Sequence, residues 1–158
     1  MYRNANDFVQ DWKNSSKGTL DVFQAITDEK LGQSITEGHS SLGWLAWHLT
    51  TAASMFGGLA GLEVNEVSPS DAAPATIQEI IDAYKNVADS IEKNASTKFT
   101  DDDMLTEVEG LGGKMPRGQL LRILIDHQTH HRGQMTVLVR QAGLAVPPVM
   151  GPTQEMNS

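Results

Sequence analysis

Apolar residues along this chain recur at intervals of three and four, and strict two-residue alternation is scarce, so the dominant element is the amphipathic helix. Four long windows carry the pattern. The first runs from about Asn6 to Lys30 through Phe8, Val9, Trp12, Leu20, Phe23 and Ile26, and Ser15, Ser16 and Gly18 weaken its middle, where a bend or fraying is expected. A polar stretch from Gly32 to Gly38 separates it from the second. Ser40 or Ser41 is placed to cap that second helix, which carries Leu42, Trp44, Leu45, Trp47, His48, Leu49, Ala52 and Phe56. Gly57, Gly58 and Gly61 are expected to end it.

An acidic loop from Gly61 to Ala73 follows, and Thr76-Ile77-Gln78-Glu79 then has the form of a capping box opening a third helix. Its stripe is Ile77, Ile80, Ile81, Tyr84, Val87, Ala88 and Ile91. From Lys98 to Pro116 the pattern is irregular, with a short helical turn expected at Thr100 to Asp103 and a small extended excursion at Glu107 to Lys114. The fourth helix begins near Pro116, whose missing N–H is harmless in a first turn, and runs to about Gln141 before Gly143. Its stripe reads Leu120, Leu124, His127, His131, Met135 and Leu138. Four such helices, with no internal repeat and a long connection between the second and third, predict an all-α four-helix bundle in up-down-down-up order. A single domain over 1–158 suffices.

Composition narrows the function. A net charge of -8 and a pI near 4.9, with no basic run, exclude nucleic acid and anionic membranes as partners, since both repel an acidic surface. The absence of cysteine removes disulfides, thiolate ligands and thiol nucleophiles together, leaving any metal to histidine and carboxylate. The N-terminus lacks the basic-then-apolar order of a signal peptide, and no apolar run approaches the roughly 18 residues that span a bilayer. A soluble, cytoplasmic protein with a small-molecule substrate is expected.

The chemistry concentrates in Asp126-His127-Gln128-Thr129-His130-His131-Arg132-Gly133-Gln134-Met135. His127 and His131 are one turn apart on the apolar stripe and are expected to face the bundle interior. Two buried imidazoles so placed share either a hydrogen-bond network or a cation. His48, on the second helix, is the residue able to complete a three-nitrogen site. His130 points about 100° away from His131 and reads as a solvent or interface residue. His39 lies in a Gly-Ser loop as a surface or pocket-rim group. Trp44 and Trp47 read as core or interface residues. Gln128 stands where a zincin motif places its glutamate base, and the inward glutamates of a di-iron bundle are missing, so a mononuclear site is the simpler reading. Gly110-Leu111-Gly112-Gly113-Lys114 lacks the spacing of a phosphate-binding loop and reads as a flexible loop, and Asp101-Asp102-Asp103 as a solvated helix start.

The run Gly43-Trp44-Leu45-Ala46-Trp47-His48-Leu49, the element His127-Gln128-Thr129-His130-His131-Arg132-Gly133-Gln134 and the ending Pro147-Pro148-Val149-Met150-Gly151-Pro152 resemble the DinB-like metalloenzyme family over nearly the whole chain. The resemblance implies a four-helix bundle, often homodimeric. It also implies that His48, His127 and His131 hold a divalent metal, nickel or zinc foremost, with iron allowed. Characterised relatives include bacillithiol S-transferases and mycothiol-dependent maleylpyruvate isomerases. The expected activity is therefore a metal-dependent transfer of a low-molecular-weight thiol to a small electrophile, or a hydrolysis; the alternative is a non-catalytic metal-binding stress or interaction protein. Gln134 is placed to touch the site from the adjacent turn, and Arg132 to orient a carboxylate or the neighbouring helix. Met150 stands where many members carry an aromatic.

Overall fold

The computed structural model describes residues 1–157. Four helices, α1 (Ala5–Gln24), α2 (Leu42–Leu59), α3 (Ile77–Lys98) and α4 (Arg117–Gln141), carry the fold, and a two-stranded antiparallel hairpin, β1 (Glu107–Gly110) and β2 (Gly113–Pro116), precedes α4. The caps explain most boundaries. Asn4 and Ser41 accept from the backbone N–H of Asp7 and Trp44, and Thr76 with Glu79 forms the expected reciprocal capping box. Gly143, at φ +78, stops α4 after Gln141.

The expected boundaries shift at two places. α1 ends at Gln24 and not near Lys30; Thr27 leaves the helix with extended backbone, and Asp28–Lys30 forms a separate 3-10 turn. Asp28 instead accepts from the N–H of Ile77 at 2.7 Å, so this segment reaches over to the start of α3. In α2, Gly57 and Gly58 stay helical and only Gly61, at φ +84, turns the chain. The middle of α1 is continuous, because Ser15, Ser16 and Gly18 are buried against neighbours. A Cβ on Gly18 would come within 2.7 Å of Val149 Cγ1, so the small residue makes room for the C-terminal tail.

Hydrogen bonds at the ends fix the helix directions. Tyr2 N–H donates to the Gly118 carbonyl at 3.0 Å, and Ala5 N–H to the Asp101 carboxylate at 2.9 Å, placing the start of α1 beside the start of α4 and the end of α3. Arg117 Nε donates to the Ala60 carbonyl at 2.8 Å, joining the start of α4 to the end of α2. The order is therefore up-down-down-up, as the long connection between the second and third helices implied. α1 and α2 each pack against both α3 and α4, which places them diagonally. The core between them is filled by Phe8, Trp12, Phe23, Phe56 and Tyr84, all fully buried, at about 1.5–3 kcal/mol for each large side chain. No helix among the described residues is long and apolar enough to cross a membrane.

One polar side chain joins all four helices. Gln128 of α4 is wholly buried; its Oε1 accepts from Tyr84 Oη of α3 at 2.9 Å and from Thr19 Oγ1 of α1 at 3.2 Å, and its Nε2 donates to the Leu49 carbonyl of α2 at 3.1 Å. Buried amides are tolerated only when bonded in this way. Replacing it with leucine keeps the volume roughly constant but strips the Tyr84 and Thr19 hydroxyls of this acceptor and the Leu49 carbonyl of this donor. We expect Gln128→Leu to lower stability by about 2–4 kcal/mol in urea unfolding, and a loss well under 1 kcal/mol would mean the amide does not hold the bundle together.

Candidate metal centre

His48 projects from the second turn of α2, and His127 and His131 from successive turns of α4, where the two helices run antiparallel. One ring nitrogen from each of the three lies within 4.8 Å of the others. The shortest separation, His48 Nε2 to His127 Nε2, is 3.1 Å. Three metal–nitrogen bonds of about 2.0–2.1 Å at tetrahedral angles would set their nitrogens roughly 3.3 Å apart, a spacing that the His48–His127 pair already has. A donor set of three imidazoles and no carboxylate suits zinc, nickel, iron or copper rather than magnesium or calcium.

The surroundings orient each ring. Trp44 lies flat on His48, with ring centroids 4.8 Å apart and planes 13° from parallel. His131 Nδ1 is 2.8 Å from Gln134 Oε1. An amide oxygen only accepts, so in this arrangement the proton sits on His131 Nδ1 and the Nε2 lone pair is left for a cation. The other end of the Gln134 amide is 3.4 Å from His130 Nε2, which accounts for its orientation. His127 packs beside Phe56, and its Nδ1 is the one buried side-chain polar atom among the described residues with no hydrogen-bond partner.

Burial, helped by the neighbouring His131 and then His48, holds the His127 imidazole down at about 4, and burial followed by His131 also lowers His48. Both rings are therefore neutral near pH 7, the form in which imidazole binds a cation.

The three expected ligands thus come together, but α4 is rotated from the expected orientation. His127 and His131 are half-buried at the edge of its apolar stripe, facing α2, and the stripe itself runs through Leu121, Leu124, Gln128, Arg132, Met135 and Val139. The reason is the bonding of the two polar members: Gln128 finds partners on three helices, and Arg132 NH1 donates to Ser15 O (2.9 Å), Ser15 Oγ (3.2 Å) and Thr19 Oγ1 (3.3 Å) of α1. Arg132 therefore orients its neighbouring helix and pairs with no carboxylate among the described residues. The signal for both was their three-and-four spacing to Leu124 and Met135. Trp44 lies outside the core: it is 51 % exposed at the edge of the cluster. Trp47 is half-buried and donates through Nε1 to the Asp71 carbonyl at 3.1 Å, tethering the connection between α2 and α3. His130 and His39 are exposed, as expected.

The DinB family profile matches residues 1–157. The chain belongs to the DinB family. A crystal structure of a DinB-like protein from Bacillus cereus ATCC 10987 superposes with a TM-score of 0.88 at 38% identity, covering 93% of this chain and 98% of that one. The uncharacterized protein YrdA of Bacillus subtilis (strain 168) is 36% identical over 155 residues, covering 98% of this chain and 93% of its own length. A second DinB-like protein, YjoA of Bacillus subtilis, shares the fold at 18% identity, with a TM-score of 0.73 over 93% of this chain and 99% of that one. The bundle seen here is thus the DinB-like fold, and the histidine cluster lies within the span that the family profile matches.

The lowered histidine values carry a stability consequence in the metal-free protein. The unfolded chain, with His127 at its ordinary value near 6.5, binds a proton that the folded chain refuses until about pH 4. The contribution is therefore complete above pH 6.5 and is lost as the pH falls through this window. The thermal midpoint of metal-free protein should decline between pH 6.5 and 4, and the decline should be shallower in His127→Gln. Equal slopes in the two proteins would contradict the assignment.

Proposed function

We propose that this DinB-family protein is a metal-dependent enzyme in which His48, His127 and His131 hold a divalent cation, nickel or zinc foremost, and that it transfers a small external thiol to a small electrophile. The observation that carries the reading is the preoriented three-imidazole cluster, which is short of the four ligands of a closed structural site. A cation bound there would lower the pKa of a thiol or water presented to it.

The chain's own residues supply the rest. Trp44 fixes the His48 ring and screens one side of it from water. Gln134 holds the His131 tautomer and also lines a cleft of about 260 Å³ with Ile35, His39, Leu45, Val137 and Leu138. This cleft adjoins the cluster through Gln134 and offers a mostly apolar wall for the carbon skeleton of an electrophile. His39 stands on it as a rim group. With no cysteine in the chain, the sulfur nucleophile has to come from outside. A low-molecular-weight thiol fits that requirement, and a cytoplasmic homodimer is the setting we infer.

The rival reading is a structural cation that ties α2 to α4, favoured by the position of the ligands on two facing helices. Gln128 already joins those helices through the Leu49 carbonyl at 3.1 Å, one residue from both His48 and His127, which reduces the need for such a tie.

Two measurements test the proposal. Protein purified without a polyhistidine tag should contain close to one equivalent of metal by elemental analysis and His131→Ala far less; equal, sub-stoichiometric metal in both would remove the site. Metal-loaded protein should then turn over a chromogenic electrophile with at least one member of a panel of small thiols, and lose that activity with a chelator. No metal-dependent turnover with any thiol would leave the structural reading in its place. Gln134→Ala, which frees His131 to rotate, should weaken metal binding by about 10–100-fold in a competition titration, and unchanged affinity would deny Gln134 its orienting role.

A further inference from the structure

The flank of α4 opposite the histidines carries a second, chemically different cavity. Thr129, Arg132, Gly133, Thr136 and Arg140 line one side of a cleft of about 410 Å³, and the C-terminal tail from Val146 to Thr153 lines the other. At 100° per residue, Thr136 and Arg140 lie roughly half a turn around the helix from His127 and His131. The volume falls within the range of small-ligand pockets.

Arg132 is the unusual member. Only 5 % of it is exposed, yet no carboxylate pairs with it among the described residues. All of its hydrogen bonds leave from NH1, toward Ser15 and Thr19. Nε and NH2 have no hydrogen-bond partner among the described residues, and Arg132 lines the cleft, which leaves this edge of the guanidinium for a ligand bound there. That edge presents two parallel N–H groups, the fork that matches a carboxylate or phosphate. The other cation of the cleft, Arg140, is already bonded to Glu155 through Nε at 2.7 Å and NH2 at 3.2 Å. Above Arg132 the wall is apolar: Val146, Pro147, Val149, Met150 and Pro152. A buried cation without a counter-charge is costly, and its hydrogen bonds to neutral oxygens offset only part of that cost.

We propose that the cleft between α4 and the C-terminal tail is a second ligand site, taking a small organic anion whose carboxylate or phosphate head sits on the Nε and NH2 edge of Arg132 and whose apolar tail lies along Val146, Val149 and Met150. The site is separate from the histidine cluster and stands whether or not that cluster binds metal.

The test uses amide chemical-shift mapping on the full chain, run with and without metal. The probes are butyrate, butyl phosphate and the neutral butyramide. The anions should give saturable shifts at the amides of Gly133, Thr136 and Gly151, the better anion reporting which head group fits, and butyramide should give none at the same concentrations. Arg132 holds α1, so replacing it risks unfolding; Gly133→Leu is the better variant. A Cβ at Gly133 meets nothing within 4 Å, and the larger side chain fills the cleft from the solvent side without disturbing the bonds of Arg132 to α1. Anion affinity should fall at least about tenfold in this variant, with thermal midpoint and metal content retained. Equal shifts with butyramide, shifts confined to the neighbourhood of His48 and His127, or undiminished affinity in Gly133→Leu would each overturn the proposal.

Discussion

The bundle turns on the requirement that a buried amide be bonded on every side. Gln128 lies at the centre of the four helices, and the partners it needs come from Tyr84 of α3, Thr19 of α1 and the Leu49 carbonyl of α2. Hydrophobic burial drives the helices together, but it is nondirectional and leaves rotation about each axis loosely set. The bonds of Gln128 are directional. They fix the rotation of α4 and its height against α2, and because Leu49 follows His48 and Gln128 follows His127, they also fix how those two imidazoles meet.

From that rotation the division of α4 into two flanks follows. One presents His127 and His131 to α2, where Trp44 and Gln134 hold the rings in place. The other presents Arg132 to α1 and the tail, with Gly18 small enough for Val149 to approach. Gln128 and Arg132 form a polar seam between the two, so the wet and charged parts of the molecule are built around its core rather than on its surface alone. Stability and candidate chemistry therefore share the same few residues of one helix.

The fold was largely legible in the chain. Local devices act through near neighbours: the Thr76–Glu79 capping box and the αL glycines Gly61 and Gly143 mark boundaries that the structure keeps. Where a distant partner intervenes, local reading fails. Asp28 bonds the start of α3 and the chain leaves α1 early; Ser15, Ser16 and Gly18 look like weak helix formers but serve as the surface on which α4 and the tail pack. Likewise the apolar stripe of α4 suggested that the histidines face inward, when two long polar side chains one residue away had better partners there.

By itself, then, the sequence determined a bundle of four helices and its up-down-down-up order, because helical periodicity, caps and connection length are encoded within a few residues of where they act, and its resemblance to the DinB-like family singled out the three histidines that converge. Tertiary structure alone decided the rotation of α4, the stacking of Trp44, the tautomer held by Gln134 and the unpaired edge of Arg132. Each of these depends on hydrogen bonds or ring contacts whose geometry exists only after the helices have packed, and several join residues far apart in the chain. No spacing rule carries that information.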